Sequence, residues 1–184
     1  MFSTRPGPFT FGQVQTFAAL TPIRAGHEQA LRSYLAALGP EASPMARVPG
    51  THYARWVVIP RLQYEGHPQK PDVLKSQYLL FTACFDGRRL DPYLTSLRFQ
   101  VGAEADDIWG HCIGYNGLTD LCRYLRHNRI TSNLFVVDQP AASVEEVRHA
   151  LDLRRRVKAF VIEHRGVDNA AELWGAWRRE FGHA

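Results

Sequence analysis

A chain of 184 residues, 45% hydrophobic and 22% charged, has the composition of an ordinary globular protein and is long enough to bury a core without disulfides or metal. Its net charge of +4 is spread along the sequence, and no run approaches the roughly 20 apolar residues of a membrane helix. This excludes a membrane span and argues against a nucleic-acid partner, because nucleic-acid binders concentrate their basic residues on one face. Cys84, Cys112 and Cys122 are odd in number and lack CxxC spacing. With an N-terminus that carries no apolar h-region, they read as reduced thiols of a cytoplasmic protein.

In chain order, residues 1–12 are rich in Pro and Gly and read as an arm, followed by a single domain over 13–184. Gln13–Arg24 is a strand candidate ended by Pro22. Leu31, Tyr34, Leu35 and Leu38, spaced by three and four, place one apolar stripe on a helix that Gly39-Pro40 stops. Thr51–Ile59 (THYARWVVI) is rich in aromatic and β-branched residues and reads as the strongest strand. A loop punctuated by Gly66, Pro68 and Pro71 leads to the return strand, Gln77–Phe85. Asp91-Pro92 suggests an N-cap with proline at the first helical position, and Gly102 an interruption of the helix that follows. Leu118–Arg129 reads as another helix and Asn133–Asp138 as a fourth strand. Ser143-Val-Glu-Glu146 is a capping box opening a long helix, inside which Arg154-Arg155-Arg156 and Lys158 read as a solvated face. A last helix runs from Asn169 with Leu173, Trp174, Trp177 and Phe181.

Strand, helix, strand, strand, helix, strand is the ferredoxin-like βαββαβ order, an α+β fold with an antiparallel sheet and helices on one face. Inserted helices precede the fourth strand, and a helical extension begins near residue 143. Strand residues alternate faces. The apolar set Leu79, Phe81, Ala83 and Phe85 is expected toward the helices. Tyr78, Thr82, Cys84 and Asp86 are then expected on the open face, which a ligand, a second copy or the C-terminal helices with Trp174, Trp177 and Phe181 would have to cover.

Arg55 interrupts an apolar strand and needs a partner, either Asp86 in an ion pair or a ligand oxygen. The segment 108–117 (IWGHCIGYNG) gathers Trp109, His111, Cys112 and Tyr115 beside glycines. His111 is able to move a proton near neutral pH. Being adjacent on the chain, His111 and Cys112 point about 100° apart on a helix and do not form a nucleophile–base pair. His111, Cys112, Cys122 and His127 match no zinc spacing, and HExxH, P-loop, GxGxxG and GxSxG patterns are absent. The expected site is therefore one pocket with Arg55, His111 and Asp86 as catalytic residues. Tyr53, Tyr78, Thr82, Trp109 and Tyr115 are expected to hold substrate, and no metal is expected.

The runs GTHYARWVVI (50–59), YLLFTACFDG (78–87) and IWGHCIGY (108–115) resemble the dimeric α+β barrel superfamily. They resemble in particular bacterial proteins of the dye-decolorising (DyP-type) peroxidase-like kind, over roughly residues 13–140, and within the superfamily the single-repeat members that dimerise rather than the full haem peroxidases. The resemblance implies a homodimer formed by pairing open sheet faces. It also implies a small apolar molecule in the cleft between sheet and helices, handled by a peroxidase- or monooxygenase-like oxidoreductase. The alternative is a non-catalytic haem- or lipid-binding accessory protein. Haem itself is disfavoured: the GxxDG pattern of the haem site lacks its first glycine, since Ala83-Cys84-Phe85 precedes Asp86-Gly87, and His127, His149 and His164 are not distinguished as iron ligands.

Overall fold

The structure, a computed structural model, describes residues 10–39, 43–64, 66–68, 70, 74–132 and 134–182. Two compact units meet in sequence between Val144 and Glu145. The first is an α+β unit built on an antiparallel sheet; the second is a pair of helices.

The sheet comprises β1 (Thr10–Phe11), β2 (Val14–Pro22), β3 (Thr51–Ile59), β4 (Tyr78–Asp86) and β5 (Arg129–Ile130), in the order β1–β2–β4–β3. β5 also pairs with β2, so the two short strands share one edge, β1 at Val14–Gln15 and β5 at Ala18–Ala19. β2 pairs with β4 from Val14↔Asp86 to Pro22↔Tyr78, and β3 pairs with β4 through Ile59↔Tyr78. The expected pairing of the 51–59 and 78–86 segments is present.

The alternation of β4 places Leu79, Phe81, Ala83 and Phe85 in the buried core, as their uniform apolarity implies. Their partners in register, Gln15, Phe17, Ala19 and Thr21 on β2 and Ala54, Trp56 and Val58 on β3, share that face. Four helices complete this unit: α1 (Glu28–Ala37), α2 (Leu90–Gln100), α3 (Gly102–Trp109) and α4 (Leu121–His127). They supply Leu31, Leu94, Leu97, Ile108, Trp109, Leu121 and Leu125 to the same core. The break expected at Gly102 falls there, between α2 and α3. Asp91 is not the cap of α2. The helix begins one residue earlier, with Arg89 in extended conformation before it, and Asp91 sits in the first turn where its charge favours the helix dipole.

Two further expectations are corrected. Residues 134–138 form no strand. Continuing β5 along β2 would put Leu134 opposite Val14, and β1 already occupies Val14 and Gln15. The chain therefore leaves the sheet after Ile130 and returns at Pro140, whose carbonyl oxygen accepts from the Gln13 N–H at 2.8 Å. Gly12 makes this approach feasible: its φ is +64°, and a Cβ there would lie 2.2 Å from the Pro140 oxygen. The second correction concerns the start of β3. A bulge between Thr51 and Tyr53 breaks the alternation. Thr51 sits on the helix side, its hydroxyl 3.2 Å from Tyr93 Oη, while Tyr53, Arg55, Val57 and Ile59 share the other face.

The second unit pairs α5 (Val144–Glu163) with α6 (Ala170–Phe181). Phe160 packs edge-on to Trp177 at 5.3 Å and to Phe181 at 5.7 Å. Arg156 closes the pair through Glu180 Oε1 and the Glu180 carbonyl at 2.7 Å. Asn169 caps α6, its Oδ1 accepting from the N–H groups of Ala171 and Glu172.

Candidate functional site

The expected catalytic and binding residues fall in separate places. On the open face, Arg55 lies opposite Thr82 in register, and its Nε donates to Thr82 Oγ1 at 3.3 Å. Tyr53 and Val57 flank Arg55 and are exposed, at 49% and 38%. Asp86 is four residues further along β4, about 13 Å away at strand rise. There it meets His52 rather than Arg55. The bulge turns His52 onto the carboxylate, with Nε2 2.6 Å from Asp86 Oδ1, and Asp86 Oδ2 accepts the Val144 N–H at 2.9 Å. Tyr78, opposite Pro22 and Ile59, marks the other end of this face.

His111 lies beyond that other end. Cys112 bridges to Ile23, nine residues along β2 from the partner of Asp86, which places His111 about 30 Å from Asp86. Its Nδ1 is 3.1 Å from Nδ1 of His27, at the start of α1. Burial first, and then the His27 imidazole, hold His111 below its ordinary pKa, against a smaller opposing pull from Asp107. Trp109 is fully buried and packs edge-on to Phe81 at 5.4 Å. Tyr115 is buried as well; its hydroxyl donates to Asp106 Oδ1 at 2.6 Å, and burial followed by that carboxylate pushes its pKa well up. These two residues therefore belong to the core and its rim. Burial also raises Cys84, and raises Cys112 against the opposing pull of the nearby Arg24 charge, so neither thiol is held toward the thiolate.

A concavity of the α+β unit lies on the other side of the sheet. Leu35, Leu38 and Gly39 at the end of α1, Ser43 and Pro44 at the following 3-10 turn, and Ala54 and Trp56 of the outer strand β3 line a cleft of about 300 Å³. Its position follows from the topology: β3 is the last strand of the sheet, so the helical layer ends over it. Trp56 forms the floor, stacked on Phe81 at 5.3 Å and edge-on to Trp109 at 6.2 Å. The Ser43 hydroxyl has no hydrogen-bond partner among the described residues.

The interior behind this wall is polar in an unusual way. The indole N–H groups of Trp56 and Trp109 are enclosed and have no partner among the described residues, and neither amide atom of Gln15 has one there. Each such orphan costs about 1–3 kcal/mol. Of these features, the sequence marked Trp56 as an aromatic residue of a strand and Trp109 as a substrate-holding residue, and neither as an enclosed N–H without a partner. Gln15 was legible as the one amide in the inward-facing set Gln15, Phe17, Ala19 and Thr21, once the face was known.

Among the described residues no cluster of three or more His, Cys, Asp or Glu side chains is arranged to hold a metal ion, and no helix is long and apolar enough to cross a membrane. No protein-family model, no curated protein and no solved structure matches the chain.

Proposed function

We propose that the protein binds a small, largely apolar organic molecule in the cleft between α1, the 3-10 turn and β3. The cleft itself carries this reading. Its volume falls at the lower end of the range of small-molecule sites, and mostly apolar side chains beside polar main-chain atoms and one unpaired hydroxyl suit such a site. Trp56 offers a flat face for a ring or chain, and Ser43 a donor or acceptor to orient it. The proposal takes the unit as a ferredoxin-like βαββαβ domain whose fourth strand is reduced to Arg129–Ile130. The order β5–β2–β4–β3, antiparallel throughout, supports that assignment. A homodimer through the face of the sheet away from the helices is part of the same reading, supported on its β3 side by the exposure of Tyr53 and Val57, whereas Val14 and Ala18 on its β2 side are already buried.

A second reading, an oxidoreductase or other enzyme acting on the open face, has the Asp86–His52 pair in its favour. A carboxylate holding one imidazole nitrogen is how a proton-transferring histidine is oriented. Arg55, Asp86 and His111 do not converge on the cleft, so binding is the function the geometry supports best. The test is isothermal titration of the purified protein with 1-naphthol, beside the Ala54→Phe variant, whose added ring fills the cleft. Saturable binding lost in the variant is the expected result. Binding equal in both proteins, or none to either with no small molecule retained in native mass spectra of the protein purified from cells, overturns the reading.

A further inference from the structure

The larger apolar concavity belongs to the helical pair and shares no residue with the cleft above. Phe160, Val161, His164 and Arg165 on the α5 side and Ala170, Leu173, Trp174 and Trp177 on the α6 side enclose about 540 Å³. It lies where the chain turns from α5 through Gly166, with φ +97°, to the Asn169 cap of α6. Trp174 remains 61% exposed, whereas Phe160 beneath it is buried.

The charge at the end of this groove is the second observation. Arg155 is held by Asp152 and Arg156 by Glu180. Arg165 is exposed and lines the groove; its backbone N–H donates to the Ile162 carbonyl, while its guanidinium makes no hydrogen bond or ion pair among the described residues. No carboxylate is part of the lining. His164 is fixed beside it, its Nδ1–H donating to the Phe160 carbonyl at 3.0 Å and its ring stacked on Phe160 at 4.1 Å. A symmetric contact between two copies of this groove would set Arg165 and His164 against the same pair, with no acidic residue to separate them. The lining suits instead an occupant with an apolar body and one anionic end.

We propose that the α5–α6 groove is a binding site for an amphipathic anion of the fatty-acid class, its chain on Leu173, Trp174 and Trp177 and its carboxylate on the Arg165 guanidinium. The guanidinium pairs bidentately with a carboxylate. The chain removes Trp174 and Val161 from water, so affinity should rise with chain length by about fourfold per methylene.

The experiment is calorimetric titration of the full chain with decanoate and dodecanoate below their micellar concentrations, with dodecyltrimethylammonium as the cationic counterpart. Saturable binding of one dodecanoate is expected, weaker for decanoate and at least about tenfold weaker in Arg165→Glu. Binding should be lost in Val161→Glu. The proposal is overturned by equal binding of the ammonium and the carboxylate, by binding that survives both variants, or by no binding at all. A molecular mass in solution that is twice the chain's, and halves in Trp174→Glu, also overturns it, because a second copy then fills the groove. Should Arg165→Glu fail to fold by circular dichroism, the comparison of the two headgroups on the unaltered protein decides. A result here leaves the 1-naphthol test on Ala54→Phe standing by itself, since the two sites have no residue in common.

Discussion

Replacing Gln15 with Met should make the α+β unit more stable, against the usual direction of core substitutions. Gln15 is fully buried on the helix side of β2, opposite Phe85, and both atoms of its amide lack partners. Methionine is unbranched and of similar length, so the exchange keeps the shape and removes two stranded polar groups. Each stranded group costs about 1–3 kcal/mol. Repacking around a volume-conserving exchange costs less than about 1.5 kcal/mol. The net gain should be about 0.5–6 kcal/mol, or roughly 2–4 °C in Tm for each kcal/mol. Urea unfolding followed by near-ultraviolet circular dichroism reports it, because Trp56 and Trp109 sit in the same core. A variant less stable than the parent by 1 kcal/mol or more, on the order of one good hydrogen bond, would refute the reasoning. It would mean that the Gln15 amide is satisfied in solution by water or a bound molecule.

Lowering the pH should weaken the same unit through His111. Its folded pKa lies below the ordinary 6.5, chiefly through burial, so the unfolded chain takes up its proton at higher pH than the folded one. The stabilisation is complete above about pH 6.5 and fades as pH falls through the lowered folded value; a His111→Asn variant should show a flatter urea midpoint between about pH 7 and 5. Asn169→Ala removes two capping bonds from α6 and should cost about 1 kcal/mol, read as earlier melting of the helical pair. If that variant melts with its parent, the Asn169 contacts contribute nothing. Arg55→Leu should leave stability within about 0.5 kcal/mol, because the exposed guanidinium bonds only to Thr82; a loss of several kcal/mol would mean that Arg55 organises the sheet.

What the amino-acid sequence determined by itself was local. The β-branched and aromatic content of 51–59, the uniform apolarity of Leu79, Phe81, Ala83 and Phe85, the glycine break at 102 and the Asn169 helix start each act within a few residues. Backbone sterics, side-chain period and capping are short-range forces, so these features are written where they operate. The tertiary structure decided everything that depends on which distant segment arrives first. β1 holds the stretch of the β2 edge that residues running on from β5 would otherwise have met. One extra residue at the bulge gave Asp86 to His52 and left Arg55 to Thr82. His27 and His111 meet across 84 positions of sequence. The cleft over Trp56 exists because the helical layer stops short of the outermost strand. A bulge, an edge contest and a gap between layers are settled by the free energy of the whole packed arrangement, in which no single residue carries the outcome.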